Sequence, residues 1–88
     1  MLKILIADDH PVFRRGLKQI ISDNADMVVT GEAADGLEAL RQVRAGDCDV
    51  VLLDITMPGK DGIYVLTELR KEKPGLPILM LSMHPEEQ

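Results

Sequence analysis

Aromatic residues, cysteines and long apolar runs are scarce in this sequence, and each scarcity limits what kind of protein it can be. The 88 residues include one phenylalanine, one tyrosine and no tryptophan, so aliphatic side chains and methionine must build the core. The single cysteine, Cys48, cannot form an internal disulfide, which suits a reducing compartment. No apolar run approaches the ~20 residues of a membrane span, and the N-terminus lacks a signal-peptide pattern. We therefore expect a cytoplasmic protein that does not enter a membrane.

Positive charge is also in short supply. The chain has 10 lysines and arginines against 15 aspartates and glutamates, which gives a formal net charge of −5. This balance disfavours contact with the phosphates of nucleic acids, so we expect no direct nucleic-acid binding by this chain. A composition of 45% hydrophobic and 28% charged residues is that of a folded protein, and the length suffices for one domain.

The most informative segment of the sequence is an unbroken apolar run at residues 50–53 that leads directly into Asp54. A loop with Pro58, Gly59 and Gly62 follows it. A short apolar run bounded by turn residues is typical of a strand buried on both faces of a parallel sheet. Ligands of open α/β sheets bind at the carboxyl ends of the strands. Asp54 is therefore the first candidate functional residue.

Strand and helix patterns alternate along the chain. Strands are predicted at residues 2–7, 27–33, 50–54 and 77–81, the second of them at an edge because polar residues interrupt it. Helices are predicted to begin near residues 11, 35 and 61, the second with Asp35 as its N-cap, and residues 83–87 resemble the first turn of a fourth. The residues expected to be buried in the three helices are Phe13, Leu17, Ile20 and Ile21, then Leu37, Leu40 and Val43, then Ile63, Leu66 and Leu69. The alternation predicts an α/β fold with a doubly wound parallel sheet.

The topology should bring several polar residues to one edge of the sheet. Asp8 and Asp9 follow the first strand, Asp54 ends the third, and Ser82 follows the fourth. Carboxylates about 4 Å apart repel by about 4 kcal/mol per pair at an effective dielectric near 20, so a proton or a cation must relieve them. Oxygen ligands favour a hard divalent cation such as Mg²⁺. Such a site suits phosphoryl transfer, with Asp54 as nucleophile and the Ser82 hydroxyl on a phosphoryl oxygen.

Each of these residues also has a plain structural interpretation. Asp8 and Asp9 could cap a helix, Asp54 could be a turn residue, and Ser82 could be a helix N-cap. His10 is predicted to be an ordinary surface loop residue. Only the joint arrival of the acidic residues and Ser82 at one sheet edge favours a functional site.

Three motifs together resemble a bacterial response-regulator receiver domain: Asp8-Asp9, the segment 50–62, and Leu79-Met80-Leu81-Ser82. Asp8-Asp9-His10-Pro11 further resembles the receivers that precede LuxR-type helix-turn-helix DNA-binding domains. The resemblance implies a flavodoxin-like fold with strand order 2-1-3-4-5. It implies Asp54 as the phosphoacceptor, Asp8 and Asp9 as the acidic pair, and Ser82 as the switch hydroxyl. Asp9, Asp54 and the Thr56 carbonyl would ligate Mg²⁺ beside Asp8, and a sensor histidine kinase would supply the phosphoryl group.

The sequence departs from this family at its C-terminal end. The family continues through a fifth strand that carries an aromatic switch residue and a lysine, whereas the last lysine here is Lys73. We expect one truncated receiver domain at residues 1–88, without an output domain and without enzymatic activity of its own. We also expect a homodimer through the exposed edge of the fourth strand.

Two alternative functions stay open at this point. A receiver fold that no longer switches could act as an interaction module, which the missing lysine and fifth strand would favour. A Mg²⁺-dependent phosphatase of the haloacid-dehalogenase type also uses an aspartate at a strand end. That chemistry wants a second aspartate two residues further on, where this chain has Thr56.

Overall fold

A computed structural model describes residues 1–46, 48–54 and 61–81 of the chain, apart from the side chain of Asp61. Strands and helices alternate in the order β1 (Leu2–Ala7), α1 (Pro11–Ser22), β2 (Met27–Ala33), α2 (Gly36–Ala45), β3 (Val50–Asp54), α3 (Asp61–Glu72) and β4 (Ile78–Leu81). The strands of the described residues form one parallel sheet in the order β2-β1-β3-β4. The predicted α/β fold is confirmed. The helical turn predicted at residues 83–87 lies outside the described residues.

The two central strands, β1 and β3, are buried on both faces of the sheet. Successive side chains of a strand point to opposite faces, so β1 places Leu5 in one core cluster and Ile4 and Ile6 in the other. The larger cluster is covered by α2 and α3, and the smaller one includes Ile21 of α1. Burial on both faces explains the continuous apolar runs at residues 4–7 of β1 and 50–53 of β3.

The exposed apolar residues correct the predicted helix faces. Ile20, Leu37 and Ile63 are 61%, 72% and 61% exposed, so their predicted burial is wrong. Ala39 and Val65 are buried instead, with 0% exposure. Each residue of an α-helix is turned by about 100° from the one before it, so a stripe centred on Val65 and Leu69 leaves Ile63 on the opposite side of α3. The helices carry more apolar residues than the stripe facing the sheet can hold.

The start of α2 confirms its predicted N-cap. Asp35 Oδ1 accepts a hydrogen bond from the backbone N–H of Glu38 at 2.8 Å. The carboxylate of Glu38 accepts a hydrogen bond from Gln42 at 2.8 Å and lies 2.9 Å from the guanidinium of Arg41. The cap fixes where the helix begins, and the side-chain pairs support its first turns.

Within the described residues, β2 and β4 are the edges of the sheet. The edge position predicted for β2 is therefore confirmed. In β4, Leu79 is 56% exposed, although it is apolar. In the part of the chain that the structure describes, none of the helices has both the length and the apolar character needed to cross a bilayer.

Candidate functional site

Adjacent strand ends bring Asp8 and Asp54 together. β1 and β3 are neighbours in parallel register, with Ala7 opposite Leu53, so the next residue of each strand reaches the same sheet edge. A backbone hydrogen bond of 2.9 Å from Asp8 N to Ala33 O continues the pairing of β1 with β2 by one residue. Both aspartates are fully buried, with 0% exposure. The predicted meeting of this pair at one edge of the sheet is confirmed, whereas their roles in phosphoryl transfer and cation binding stay predictions.

His10 completes a cluster with three aspartates. Its Nδ1 atom lies 3.0 Å from Asp8 Oδ1, 3.0 Å from Asp9 Oδ1 and 3.2 Å from Asp54 Oδ2. One possible ligand atom from each of the four residues lies within 4.8 Å of the others. The imidazole is 43% exposed, so it forms the outer rim of the cluster. His10 lies in a surface loop, as predicted, but the contacts of its ring with three aspartates were not predicted.

Proton affinity in the cluster is shifted in two places. The pKa of Asp8 is raised, chiefly because burial removes water from its carboxylate and also because Asp54 lies beside it. The pKa of His10 is raised, chiefly by its hydrogen bond with Asp8, and further by the negative charge of Asp9. Burial is thus the main cause for Asp8, and a carboxylate partner is the main cause for His10.

Two buried carboxylate oxygens of the cluster accept no hydrogen bond within the described part of the chain. They are Asp8 Oδ2 and Asp9 Oδ1. A buried carboxylate oxygen without a donor is costly, and a divalent cation would compensate it. Oxygen atoms from aspartates are the ligands that Mg²⁺ prefers, so the residues present fit this cation.

Arg14 positions the loop that carries the cluster, and the sequence analysis missed it. Its guanidinium donates a hydrogen bond to the backbone carbonyl of Asp8. The same side chain lies 3.2 Å from Glu32 of β2, which also pairs with Lys18 at 3.0 Å. Arg14 belongs to the polar side of α1 in the sequence pattern. The only available signal was its position one helical turn after His10, whose carbonyl accepts the Arg14 N–H at 2.9 Å.

The remaining predicted site residues cannot be placed in the same way. Thr56 and Ser82 lie outside the described residues, so their roles remain predictions. Asp8, Asp9 and Asp54 are brought together as predicted. Asp8 does not act as a helix cap here, because its Oδ1 atom accepts the backbone N–H of His10 at 3.0 Å.

The fold and this acidic edge are those of a signalling domain. Residues 4–88 match the response regulator receiver domain, and the chain belongs to this family, as its sequence motifs predicted. It is 39% identical over 85 residues to the nitrate/nitrite response regulator protein NarL of Escherichia coli K12, covering 97% of this chain and 39% of NarL. The chain thus spans about two fifths of the length of the curated relatives that it matches.

Solved structures support the same family. A two-component response regulator of the LuxR family from Aurantimonas sp. SI85-9A1 is 36% identical with a TM-score of 0.87, covering 94% of this chain and 59% of that one. The response regulator TrrA of Thermotoga maritima, solved in complex with Mg²⁺ and BeF, is 37% identical with a TM-score of 0.87. That match covers 96% of this chain and 71% of TrrA. The chain is therefore a receiver domain of two-component systems, related to LuxR-family response regulators.

Proposed function

We propose that Asp54 accepts a phosphoryl group from a sensor histidine kinase, in a cation-dependent reaction. The observation that carries this proposal is the convergence of three aspartates and His10 within 4.8 Å at the carboxyl edge of the sheet. Asp54 is the last residue of β3 and is fully buried. Such a position isolates one carboxylate from competing water while leaving it at the mouth of the sheet.

The chemistry follows from the residues at this edge. An Asp54 carboxylate oxygen attacks phosphorus in line, and the P–N bond of the donor phosphohistidine breaks with its electron pair going to the imidazole. Mg²⁺, when bound, neutralises phosphoryl oxygens and the crowded carboxylates. Asp8, Asp9, Asp54 and the backbone carbonyl of Thr56 are the proposed cation ligands, and Ser82 is the proposed hydroxyl donor to a phosphoryl oxygen.

Relatives of the chain support the cation and the wider role. TrrA was solved in complex with Mg²⁺ and BeF, and BeF3− is a phosphomimetic. LuxR-family membership supports control of a DNA-binding output domain in the whole protein, since this chain spans about two fifths of its curated relatives. Residues 1–88 are proposed to form one receiver domain that has no catalytic turnover of its own. A cytoplasmic location remains a prediction from the sequence.

The same chain is proposed to form a homodimer through the outer edge of β4. Within the described residues β4 pairs only with β3, so its other side presents backbone hydrogen-bonding groups. Leu79, which is 56% exposed, adds an apolar side chain to this edge. An exposed apolar edge strand is a template for pairing with another strand.

Phosphate uptake by the purified chain tests the proposal. The wild type is treated with a small acyl-phosphate donor, with Mg²⁺ or with a chelator, and its intact mass is measured. The matched variants are Asp54→Asn and Asp49→Asn, since Asp49 stands at the opposite end of β3, where its Oδ2 accepts the Lys3 N–H at 2.8 Å. We expect Mg²⁺-dependent addition of one phosphoryl group to the wild type and to Asp49→Asn only. Equal addition to Asp54→Asn would contradict the assignment.

A further inference from the structure

His10 Nδ1 distinguishes the acidic cluster from a Mg²⁺ site built only of oxygen ligands. Carboxylate and carbonyl oxygens satisfy Mg²⁺, whereas an imidazole nitrogen is a preferred ligand of Zn²⁺ and other first-row transition metals. The cluster presents both kinds of atom, since His10 Nδ1 faces oxygens of Asp8, Asp9 and Asp54. The presence of His10 therefore bears on which cation the site prefers.

The spacing of these atoms matches the edges of a coordination polyhedron. With metal–ligand bonds of about 2.1 Å, neighbouring ligands of an octahedral cation lie about 3.0 Å apart, and opposed ligands about 4.2 Å apart. The three distances from His10 Nδ1 to carboxylate oxygens are 3.0, 3.0 and 3.2 Å. The full group fits within 4.8 Å. One cation could thus contact all four residues after small side-chain adjustments.

The backbone holds His10 in this position. Pro11 follows it, and a residue before proline is restricted to extended conformations, which His10 adopts with φ −103° and ψ 103°. Its N–H donates to Asp8 Oδ1 at 3.0 Å, and its carbonyl accepts the Arg14 N–H at 2.9 Å. His10 is the N-cap residue of α1, but its side chain makes no capping hydrogen bond. Its ring is therefore turned to the cluster and not to the helix.

An independent sign of a ligand is a buried oxygen of Asp8 that lacks a donor within the described residues. Asp8 Oδ2 accepts no hydrogen bond there, and Asp8 is fully buried, whereas Asp9 Oδ1 lies 3.0 Å from His10 Nδ1. His10 can contribute only one ring nitrogen to the centre, so it cannot by itself satisfy the oxygens of three carboxylates. A cation bound beside the ring would reach Asp8 Oδ2, which accepts no hydrogen bond within the described residues.

We propose that His10 Nδ1 is a direct ligand of the cation held by Asp8, Asp9 and Asp54, so that this receiver binds transition metals such as Zn²⁺ and Mn²⁺ through mixed nitrogen and oxygen coordination. The inference rests on the proposed function, because it takes the acidic cluster as the cation site. It adds a fourth side chain to that site and a cation preference that follows from its chemistry. His10 raises the affinity of the site for Zn²⁺ relative to its affinity for Mg²⁺.

Metal affinities of the whole 88-residue chain test the role of His10. Zn²⁺ binding is measured by competition with a chromophoric chelator, and Mg²⁺ binding by calorimetry, for the wild type and His10→Asn. Asparagine is a favourable N-cap residue and a poor transition-metal ligand, so this variant should keep the fold, which thermal melting in chelator checks. We expect a loss of Zn²⁺ affinity of at least about 10-fold and a change in Mg²⁺ affinity below about 3-fold.

The direction in which His10→Asn changes the metal affinities shows whether His10 is a metal ligand or only a positive charge in the cation position. If His10 only occupies the cation position as an imidazolium, its removal would strengthen the binding of both Zn²⁺ and Mg²⁺. An increase in both affinities, or a Zn²⁺ affinity that does not fall, would overturn the proposal.

A spectroscopic measurement identifies the ligand directly. Pulsed electron paramagnetic resonance of bound Mn²⁺ detects a coordinated imidazole nitrogen. The chain has two histidines, so His84→Asn is the matched variant. We expect nitrogen coupling in the wild type and in His84→Asn, and none in His10→Asn. No coupling in the wild type, or its persistence in His10→Asn, would overturn the proposal. If Mg²⁺-dependent phosphate uptake on Asp54 persists in that event, the proposed function stands and only the role of His10 falls.

Discussion

His10 Nδ1 lies 3.2 Å from Asp54 Oδ2, although 44 positions separate the two residues in the sequence. The contact exists because β1 and β3 are parallel neighbours whose carboxyl ends reach the same edge. The loop that begins after β1 then carries the imidazole over the end of β3. Four titratable side chains consequently share one small volume, and the stability of the domain should respond to each of them.

Asp8→Asn should stabilise the metal-free domain. The substitution removes one of two fully buried carboxylates and keeps the shape of the side chain. A gain of about 1 kcal/mol would raise the melting temperature in chelator by about 4–8 °C, and the further rise caused by Mg²⁺ should shrink because a ligand is lost. Asp9→Asn should show a smaller gain in chelator, since Asp9 is 26% exposed and better screened by water. A melting temperature of Asp8→Asn in chelator below that of the wild type would contradict the expected repulsion between the buried carboxylates of Asp8 and Asp54.

Two glycine substitutions should have opposite effects. A Cβ atom at Gly31 would lie 2.3 Å from Gln42 Oε1 and 2.9 Å from Cδ1 of the buried Leu5. Gln42 cannot move freely, because its Nε2 donates to the carbonyl of Glu32 at 2.6 Å. Gly31→Ala should therefore cost about 1–3 kcal/mol in the free energy of unfolding.

Gly16→Ala is the matched control for Gly31→Ala. Apart from its chain neighbours and the adjacent backbone of helix α1, no atom of the described residues lies within 4 Å of a Cβ at Gly16, which stands inside this helix. Alanine is a better helix former than glycine, so this variant should gain up to about 1 kcal/mol. Urea unfolding of both variants measures the difference. A destabilised Gly16→Ala or a neutral Gly31→Ala would show that the backbone environment differs from the one described.

Much of the fold follows from local sequence signals. The bounds of β1 and β2, and the N-cap at Asp35, were predictable because strand period, turn residues and capping chemistry act over a few residues. The faces of α2 and α3 were less predictable. Leu37 keeps helical spacing with the buried Leu40, and Ile63 with the partly buried Leu66, but the helix rotation that exposes them is set by packing against the sheet.

The candidate site was predictable as far as strand ends determine it. Asp8, Asp9 and Asp54 were placed from topology alone, since parallel strands share one carboxyl edge. His10 and Arg14 were not, because their roles depend on the path of the loop after β1. A histidine before a proline matches no sequence motif for a binding site. Its contact with Asp54 exists only because folding places the end of β3 beside its ring.

The ion pair between α2 and α3 should make stability depend on pH. Arg44 Nε donates to Glu72 Oε1 at 2.8 Å, and this hydrogen bond is the main cause of the lowered pKa of Glu72. A lowered pKa means that the stabilisation is present above the ordinary value of 4.5 and is lost as the pH falls through the folded value.

Thermal melting of Glu72→Gln across this pH range tests the coupling. The melting temperature of the variant should be lower than that of the wild type at neutral pH, by a few degrees at most because the pair is exposed. The difference should vanish in acid. In the background of Arg44→Gln, the same substitution should have a much smaller pH-dependent effect, because only the charges of Lys73 and Lys71 then act on Glu72. A difference that grows as the pH falls would have the wrong sign.

Leu79→Lys should prevent self-association of this chain. Leu79 lies in β4, an edge strand within the described residues, and is 56% exposed. A lysine there blunts strand pairing by charge repulsion between copies. Sedimentation velocity at micromolar concentration should show a dimer for the wild type and a monomer for the variant. A well-folded wild-type monomer would contradict pairing through this edge.

The most direct test of the central claim is to locate the phosphoryl group within the protein. After treatment with an acyl-phosphate donor and Mg²⁺, reduction with borohydride converts an aspartyl phosphate into homoserine, and peptide mass spectrometry identifies its position. We predict homoserine at Asp54 and at neither Asp8 nor Asp9, because Asp54 ends β3 while the other two are assigned to the cation. Homoserine at Asp8 or Asp9, or the same yield in Asp54→Asn, would contradict the claim.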